Sequence, residues 1–577
     1  MAREGYNMVK NLRPRIVLSA VASQYVHSAL APWCLKAGIE QYALTACDIH
    51  VVEGTINETA QDVTKRIIAQ APDILGISCY IWNIVFVCDM LPRLRQALPA
   101  CVILLGGPES THRAEELLRT CPQIDYILAG EGEKPLAQLV DALHMRKAVE
   151  KVPGLCYRCG EAVRTQPAYA HDTMQPSPYC GDYFAQLNGR IAYLETSRGC
   201  PFSCAFCLSG CREKVRCVSM ERAQCEILLL AGSGTKTVKL VDRTFNANPA
   251  RARAMFEFVI GEYGRGIPKN VCFHFEIGGD LLDDETLALL STAPPGLIQM
   301  EIGLQSFNAE TLFAVNRVTD ITRLIDRLQR LIALQTVRVH IDLIAGLPKE
   351  DVKSFARGVD RTFLLFPQTL QLGFLKVLPG SAMREEEQKY PMQYDAAPPY
   401  RVRSTPWLTQ EELVTLSVVE RALDRLYNSG RFTETLKWLT QKTGETPYRL
   451  LKKAGDAIIL AEKKAGTLSL EALTQVTFDH MIGLYPEHRA QIRDLMLIDR
   501  IATTATKLIP LCLQKTDNRL ALAKATLNRR GLGQKGCRAV GILYSVETPL
   551  LVWANPAERH PVTGRFTTHT EELVNFL

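Results

Sequence analysis

Three cysteines stand close together in residues 195–207, whose sequence is ETSRGCPFSCAFC. Cys200, Cys204 and Cys207 are separated by three and then two residues, and the segment directly follows an apolar run that predicts a strand. Three thiolates in one loop can bind three irons of a cubane iron–sulfur cluster and leave the fourth iron open to a substrate atom. Zinc is the alternative metal. A structural zinc site needs a fourth ligand, and Cys211 could supply it.

The other cysteines of the chain are dispersed. Eighteen cysteines in 577 residues are too few for a disulfide scaffold, and most of them stand singly in apolar runs, which is typical of small buried side chains. Cys156 and Cys159 have the CxxC spacing of a metal site, but no second pair follows at the distance of a zinc finger. We therefore interpret that pair as structural.

The first elements of the chain predict an open parallel sheet over residues 1–148. Apolar runs alternate with stretches of helical spacing, and this alternation is typical of a doubly wound, Rossmann-like α/β domain. Ligands of such domains bind at the carboxyl ends of the strands, where this chain has glycine-rich turns. The predicted strands are residues 15–20, 49–53, 73–78, 101–105 and 126–129.

A second βα series predicts a partial (β/α)6 TIM barrel over residues 191–395, with its chemistry in the loops at the strand ends. Residues 149–190 are irregular and rich in Pro and Gly, so we interpret them as a linker, in which residues 152–158 could start a hairpin. Residues 396–577 predict a mainly helical C-terminal cap or substrate domain. The six predicted strands of the barrel are residues 191–196, 237–242, 271–276, 298–303, 337–342 and 369–374.

Composition and charge exclude several classes of protein. The hydrophobic fraction is 47% and the charged fraction 22%, which is typical of globular chains and excludes a wholly disordered or fibrous one. A net charge of +6 over this length is too weak to indicate a nucleic-acid partner. The N-terminus lacks the pattern of a signal peptide, and no run of about 18 apolar residues predicts a membrane span. We expect a cytoplasmic monomer with no membrane partner.

The cysteine loop resembles that of the radical S-adenosylmethionine (SAM) enzymes. The resemblance rests on the CxxxCxxC spacing, on the aromatic Phe206 before the last cysteine, and on the position after the first strand of a βα series. It implies that Cys200, Cys204 and Cys207 hold a [4Fe–4S] cluster whose open iron chelates SAM. In that family the cluster, reduced by a partner such as flavodoxin or ferredoxin, cleaves SAM to methionine and a 5′-deoxyadenosyl radical.

Two later motifs extend this resemblance. Residues 303–306 (GLQS) and 341–350 (IDLIAGLPKE) resemble the fourth- and fifth-strand motifs of the family. The family's GGE at the second strand end is replaced by residues 241–245 (VDRTF), so Asp242 or Arg243 would share the binding of the SAM amino group. The implied SAM contacts fall into three groups. Phe206, Ile344 and Leu347 would contact the adenine, and Glu276, Gln305 and Ser306 the ribose. Asp242 would contact the amino group.

An open-sheet domain before a radical SAM domain resembles the cobalamin-binding subfamily. Ser78 and the pair Gly106 and Gly107 stand at about the separation of the SxL and GG elements of that subfamily, whose glycines let the nucleotide tail pass close to the backbone. In this subfamily a side chain from the loop after the third strand often covers the lower face of cobalt. The cobalamin contacts implied are His27, Ser78, Tyr80, Trp82, Gly106, Gly107, Glu109, Gly130 and Glu131.

Alternatives remain open at this domain. Asn83 could cover the cobalt in place of Tyr80 or Trp82. Asp48 and His50 resemble the start of the DxHxxG motif of base-displacing domains, but they begin the second strand and the glycine comes one residue late. Flavin or dinucleotide binding would suit an isolated open sheet, although a GxGxxG motif after the first strand is absent.

The resemblance implies a class B radical SAM methyltransferase. In such enzymes cobalamin takes a methyl group from one SAM, and a radical made from a second SAM activates an unreactive carbon that then accepts the methyl group. The alternatives are a cobalamin-dependent radical enzyme that rearranges, oxidises or transfers another fragment of SAM, a methylthiotransferase, and a non-enzymatic cobalamin or redox sensor. A methylthiotransferase should carry a second cluster, for which the N-terminal cysteines are too dispersed. The sequence does not distinguish among a small-molecule, a peptide and an RNA substrate.

Overall fold

The computed structural model describes residues 13–168, 174–209, 214–506, 508–532 and 539–577. Cys211, the candidate fourth zinc ligand, lies outside the described residues. The chain divides into two units, which are described separately. The first unit comprises Met1–Gly278, Val315–Val318 and Lys376–Val402, and the second comprises Gly279–Ala314, Thr319–Leu375 and Arg403–Leu577.

The first unit opens with a seven-stranded sheet. Its strands are β1 (Arg15–Ala22), β2 (Asp48–Thr55), β3 (Ile74–Ser78), β4 (Val102–Gly106), β5 (Tyr126–Leu128), β6 (Leu155–Cys159) and β7 (Ala162–Thr165). Its helices are α1 (Ala31–Tyr42), α2 (Ala60–Ala69), α3 (Ile84–Ala97), α4 (Pro108–His112), α5 (Ala114–Thr120) and α6 (Glu133–His144). The strand order is β2-β1-β3-β4-β5-β6-β7, and the first five strands pair in parallel. The predicted doubly wound sheet is confirmed.

Burial of both faces explains why the central strands appear as unbroken apolar runs in the sequence. Strand β3 is buried at all five positions, as expected for a parallel strand covered by helices on both sides. Alternate residues of β1 pack into two different hydrophobic clusters. Val17 joins the cluster that contains residues of α2, α3 and α5, whereas Ile16 and Leu18 join the cluster with α1 and α6.

The predicted linker contains part of this sheet. Strands β6 and β7 pair antiparallel and continue the sheet beyond β5, with Leu128 opposite Leu155. Within residues 149–190 the structure also has a helix, α7 (Gly181–Leu187). Residues 152–158 suggested the start of this hairpin, but its second strand was not predicted because β7 is largely exposed and has no apolar alternation.

The second βα series begins in the first unit. Its elements there are β8 (Ala192–Leu194), β9 (Ser197–Arg198), β10 (Arg216–Cys217), α8 (Met220–Ala231), β11 (Thr237–Leu240), α9 (Pro249–Glu262) and β12 (Cys272–Ile277). Strand β11 pairs in parallel with both β8 and β12. Strands β9 and β10 pair antiparallel, with Arg198 opposite Arg216, and close the loop that carries the three cysteines.

The second unit contains the remaining strands of the series. In chain order its elements are α10 (Asp284–Ser291), β13 (Ile298–Gln305), α11 (Ala309–Ala314), α12 (Ile321–Ala333), β14 (Arg338–Ala345), α13 (Val352–Phe363) and β15 (Thr369–Phe374). Strand β14 pairs in parallel with β13 and β15. Every second residue of β13 and β14 is buried, so Gln305 and Ile344 belong to the less buried sets.

The C-terminal region is mainly helical, as predicted, and ends in a small antiparallel sheet. Short elements precede it: α14 (Ala382–Glu385), β16 (Gln393–Tyr394) and β17 (Val402–Ser404). Its helices are α15 (Gln410–Ala422), α16 (Thr433–Lys442), α17 (Pro447–Ala465), α18 (Leu470–Leu484), α19 (Arg489–Thr503) and α20 (Arg519–Arg529). Its strands are β18 (Val540–Leu543), β19 (Leu550–Arg559) and β20 (Phe566–Glu572). None of the described helices is long and apolar enough to span a bilayer.

A buried aspartate explains how two of these helices are joined. The Asp499 carboxylate on α19 accepts hydrogen bonds from the backbone N–H groups of Glu434 and Thr435, both at 3.0 Å. These are N–H groups of the first turn of α16, which have no partner within their own helix. Arg565 donates to the same carboxylate at 2.9 Å. The aspartate therefore fastens α19 to the start of α16.

Gly107 gives a test of the first sheet. Its φ is +98°, and a Cβ there would lie 2.6 Å from the backbone oxygen of Cys79. We expect Gly107→Ala to lower the free energy of unfolding by about 2–4 kcal/mol because backbone strain and the collision add. Gly160→Ala is the control, since Gly160 also has a positive φ but no atom within 4 Å of that Cβ. Urea unfolding followed by circular dichroism would measure both, and equal losses would contradict this account.

Candidate active site

The three predicted cluster cysteines lie in one loop of the first unit, between β9 and β10. Cys200 and Cys204 are buried and Cys207 is partly buried. The backbone of Ala205, between the second and third cysteines, is held from two sides. Its N–H donates to the carbonyl of Val315 and its carbonyl accepts from the N–H of Met383, both at 2.9 Å. The segment between the second and third cysteines is thus held by the protein's own backbone hydrogen bonds.

Each of the three sulfur atoms lies beside a polar hydrogen. Such neighbours stabilise negative charge on a thiolate, which is the form that binds metal. Burial raises the pKa of the Cys204 thiol, while the adjacent Arg317 guanidinium opposes this rise. The chemistry of the donor set therefore fits an iron–sulfur cluster with three cysteine ligands. The pairs are Thr244 Oγ1 with Cys200 Sγ at 3.8 Å, Arg317 Nη1 with Cys204 Sγ at 3.8 Å, and the Ser209 N–H with Cys207 Sγ at 3.4 Å.

Asp242 anchors the start of the cysteine loop. Its nearly inaccessible carboxylate accepts hydrogen bonds from the Thr196 N–H at 2.8 Å, the Thr196 hydroxyl at 2.5 Å and the Ser197 hydroxyl at 2.8 Å. Burial raises the pKa of Asp242, and these three donors oppose the rise. The carboxylate is thus occupied by the loop itself. Its predicted contact with SAM stays a prediction.

Arg198 joins the cysteine loop to the first sheet. Its guanidinium donates to Glu195 at 2.9 Å within its own segment, and to Glu131 at 3.1 Å and Glu133 at 2.5 Å, which follow β5. Arg216 donates to both oxygens of Glu131. Burial disfavours the charge on Arg198, but the surrounding carboxylates raise its pKa above the ordinary value. Glu131, a predicted cobalamin contact, is therefore engaged by two arginines.

The other predicted SAM contacts are divided between the two units. In the first unit, Phe206 is partly buried in the cysteine loop, and Glu276 Oε1 on β12 lies 3.4 Å from Lys239 Nζ. In the second unit, the buried side-chain oxygen of Gln305 accepts no hydrogen bond from a described residue, which leaves it available to a ligand. Half-buried Ile344 lies at the end of β14 and buried Leu347 just after it.

Ser306 belongs to a local network in the second unit. Its hydroxyl donates to Glu350 Oε1 at 2.7 Å and accepts from the Asn308 N–H at 2.9 Å. Glu350 is buried, and desolvation raises its pKa to about 7 despite hydrogen bonds from Ser306 and Ser354. The structure therefore gives Ser306 a partner that the sequence did not suggest. Its contact with the SAM ribose stays a prediction.

The first sheet forms a crevice at its switch point, because β1 pairs with both β2 and β3. Asn83 ties the carboxyl ends of β1 and β3 together, donating at 3.0 Å to the carbonyls of Val21 and Ser78. The rings of Tyr80 and Trp82 are stacked 4.4 Å apart and nearly parallel. Trp82 nevertheless remains 47% exposed, which gives this edge a flat apolar surface. Such a surface fits the face of a corrin ring.

The two candidate histidines occupy different places. His27 lies in the loop after β1, with its Nδ1 2.7 Å from the Tyr193 hydroxyl of β8, and burial lowers its pKa. His50 lies within β2, with its Nε2 3.0 Å from Asp48 Oδ1. Only His27 is in the first βα loop, where the DxHxxG histidine belongs. The interpretation of Asp48 and His50 as that motif is therefore not supported by their position.

The remaining predicted cobalamin contacts lie after β4 and β5. Gly107 and Gly130 both have a positive φ, of +98° and +81°, which suits backbone that must pass close to another group. Gly106 ends β4, and its carbonyl accepts from the Cys79 N–H at 2.7 Å. Glu109 is buried and accepts hydrogen bonds from Arg113 at 3.0 Å and from the Tyr400 hydroxyl. Its carboxylate is therefore partnered within the protein.

Several residues of this site were not predicted. Arginines are common partners of buried carboxylates, so the acidic turn after β5 and the arginine before Cys200 were the signals that could have suggested the ion pairs. No local pattern marks the other positions, because their partners are distant in the sequence. The residues missed as members of the site are Arg198, Arg216, Tyr193, Thr244 and Arg317.

Protein-family models match three parts of the chain. One family model, the B12 binding domain, matches residues 17–140, and another, the Radical SAM superfamily, matches residues 194–360. The chain therefore contains a B12-binding domain and a radical SAM domain. A third model, described as a protein of unknown function (DUF4080), matches residues 388–532. Cobalamin, SAM and an iron–sulfur cluster are therefore its cofactors, and the predicted fold class is confirmed.

Two curated relatives of this chain are named as methyltransferases. One is the 2-(S-pantetheinyl)-carbapenam-3-carboxylate methyltransferase of Streptantibioticus cattleyicolor, with 27% identity over 54% of this chain and 46% of the relative. Another is the cobalamin-dependent radical SAM methyltransferase TokK of Streptomyces tokunonensis, with 26% identity over 50% of this chain and 44% of the relative. The chain thus matches less than half the length of these two relatives.

A solved structure has the same fold. The cobalamin-dependent SAM radical enzyme OxsB, with aqua-cobalamin and SAM bound, superposes with a TM-score of 0.61 at 16% sequence identity. The superposition covers 84% of this chain and 81% of OxsB. The likeness extends well beyond the cofactor domains and so includes part of the C-terminal region.

Glu350 predicts a pH dependence of stability. Its folded pKa of about 7 lies above the ordinary 4.5, so its stabilising contribution is complete below about pH 4.5 and is lost as pH rises through about 7. Glu350→Gln stays neutral and should raise the free energy of unfolding at pH 8 by about 1–3 kcal/mol, with little effect at pH 5. Urea unfolding at both pH values tests this, with the exposed Glu310→Gln as control. A gain of equal size at both pH values would refute the assignment.

Proposed function

We propose that this protein is a cobalamin-dependent radical SAM methyltransferase that methylates an unactivated carbon. One observation carries the proposal. The loop with the three cysteines is joined by buried ion pairs to the carboxyl edge of the B12-binding sheet, through Arg198 and Arg216 on one side and Glu131 and Glu133 on the other. A methyltransferase of this kind needs its two cofactor domains in one fixed arrangement. One SAM must give its methyl group to cobalamin, and another must form the radical.

The chain's own residues would prepare the cluster site. When bound, the cluster with SAM supplies a radical that abstracts hydrogen, and cobalamin supplies the methyl group. Cys200, Cys204 and Cys207 would hold the cluster, and the polar hydrogens beside their sulfurs would stabilise the thiolate charge. Gln305 would offer its unpartnered oxygen to a hydroxyl or amino group of SAM.

The first sheet would hold cobalamin at its switch point. Trp82 and Tyr80 would cover one face of the corrin with stacked rings, and Asn83 would keep the loop that carries them in place. Gly107 and Gly130 would let the nucleotide tail approach the backbone. His27 would stay neutral near pH 7 because burial lowers its pKa. We assign it a contact at the corrin edge.

We further propose that the substrate is a small molecule, since the name of the carbapenam methyltransferase relative describes one. Peptide and RNA remain the competing classes. The C-terminal region, residues 396–577, would select the substrate and help to exclude water, which competes for reactive intermediates. A cytoplasmic flavodoxin or ferredoxin would supply electrons.

Product analysis tests the proposed function. The protein, reconstituted anaerobically with iron, sulfide and cobalamin, would be incubated with SAM and titanium citrate, and the products quantified by mass spectrometry. Methyl transfer predicts S-adenosylhomocysteine and methylcobalamin together with 5′-deoxyadenosine. Abundant 5′-deoxyadenosine without S-adenosylhomocysteine would overturn methylation in favour of the non-methylating class. A sensor predicts neither product.

Cys204→Ala tests the cluster ligands. Removal of one of three thiolates should lower iron content and 5′-deoxyadenosine formation by more than about tenfold, because no described side chain replaces it. Cys217→Ala is the matched control, since Cys217 is exposed and ends the same hairpin. Its iron content and activity should equal those of the parent. Retention of 5′-deoxyadenosine formation by Cys204→Ala would show that the cluster is held elsewhere.

Trp82→Ala tests the cobalamin site. Loss of the stacked ring should weaken the binding of hydroxocobalamin about tenfold, which corresponds to about 1.4 kcal/mol. The measurement is an absorbance titration of the cobalamin-free protein. Leu44→Ala serves as control because Leu44 is an exposed apolar residue that precedes β2, at the opposite edge of the same sheet. Unchanged affinity of Trp82→Ala would place the corrin away from this surface.

A further inference from the structure

We infer that Arg198 is a positioning residue that fixes the cluster loop against the B12-binding domain and thereby decides whether SAM serves methyl transfer or radical formation. The inference deepens the proposed function and rests on it. It is carried by a cluster of five charged side chains, all in the first unit, that pair with one another. We call this cluster the clamp; its members are Arg198, Arg216, Glu131, Glu133 and Glu195.

The clamp forms ion pairs at both ends of the cysteine loop. Arg198 on β9 and Arg216 on β10 are directly opposite each other in the short ladder that closes the loop. Both donate to Glu131, so one carboxylate from the B12-binding domain holds the two ends of the loop together. The fork geometry of guanidinium groups suits such multiple pairing, whereas a lysine would offer only a point charge.

Burial makes the clamp sensitive to substitution. The Glu133 side chain is only 4% exposed and that of Arg198 only 15%, so neither charge is solvated by bulk water. Removing one member of a buried pair leaves the other charge uncompensated. The segment that carries residue 198 would then shift, because the unpaired carboxylates need water or another partner.

Movement on the side of the B12-binding domain is restricted. Glu133 is the first residue of α6 and packs against α1, where a Cβ on Gly38 would lie only 2.6 Å from the Cβ of Glu133. The carboxylate therefore projects from a fixed helix. The segment with Arg198 is short, because only Gly199 separates it from the first cluster cysteine. A displacement of Arg198 would therefore shift the cysteine loop as a whole relative to the first sheet.

The two uses of SAM depend differently on this arrangement. Radical formation requires the cysteine loop and the residues that bind SAM. Methyl transfer to cobalamin requires in addition a fixed separation between that loop and the B12-binding domain. A misplacement of about 1 Å can lower the rate of a reaction between two held groups about a hundredfold. Loss of the clamp should therefore suppress methyl transfer and spare radical formation.

Arg198→Gln tests this inference. In anaerobic assays with cobalamin, SAM and titanium citrate but no substrate, we expect S-adenosylhomocysteine formation to fall about ten- to a hundredfold. Formation of 5′-deoxyadenosine should change by less than about twofold, because cluster and SAM contacts are intact. Iron content and cobalamin stoichiometry should match those of the parent. Arg198→Lys should recover part of the lost methyl transfer.

Arg222→Gln is the matched control, since Arg222 pairs with Glu226 on the same helix and donates to the carbonyl of Gln175 in the predicted linker. Its product ratio should equal that of the parent. A parallel fall of both products and of iron content in Arg198→Gln would mean that Arg198 only stabilises the loop. Unchanged S-adenosylhomocysteine formation would equally overturn the inference.

Hydrogen exchange separates this inference from the proposed function. If the clamp positions the loop, adding hydroxocobalamin to the parent should slow exchange in the peptide that contains residues 195–209, and should not do so in Arg198→Gln. This readout needs no turnover. A parent that makes no S-adenosylhomocysteine but shows this difference would refute methylation and retain the clamp. Equal exchange in the two proteins would refute the clamp.

Discussion

Buried carboxylates need hydrogen-bond donors. In this protein the donors lie on the segment that leads to the first cysteine of the cluster loop. Asp242 binds Thr196 and Ser197 from the side of the βα series, while Glu131 and Glu133 bind Arg198 from the side of the first sheet. Each of these contacts is directional, unlike apolar packing. The segment therefore has one position, defined by two domains at once. The placement of the cysteine loop relative to the first sheet depends on that position.

The parallel sheet is the second source of order. The carboxyl ends of its strands bring together side chains from distant parts of the sequence. Asn83 shows how this edge is kept intact, because one amide bridges the ends of two strands that are adjacent only in space. The rings of Tyr80 and Trp82 then rest on a rigid base. Rigid support of this kind lets a large flat cofactor bind without ordering a loop.

The sequence predicted the fold well where burial dictates the pattern. Strands such as β3 are covered on both faces, so their apolar runs are unambiguous, and the cysteine spacing is a local signal. The hairpin β6–β7 was assigned to a linker because β7 is largely exposed and has no apolar alternation. The partners of Asp242 and Glu131 could not be predicted for a different reason. Their donors are distant in the sequence, and periodicity carries no information about long-range pairing.

One further consequence comes from the apolar edge of the first sheet. Tyr25, Val26 and Trp82 expose 62%, 44% and 47% of their surfaces, although large apolar side chains are normally withdrawn from water. With the corrin placed as proposed, a newly made chain that lacks cobalamin would present this edge to other chains. Self-association should then compete with folding into the finished protein. The yield of unaggregated protein from an expression host should accordingly rise with the cobalamin that the host makes or takes up.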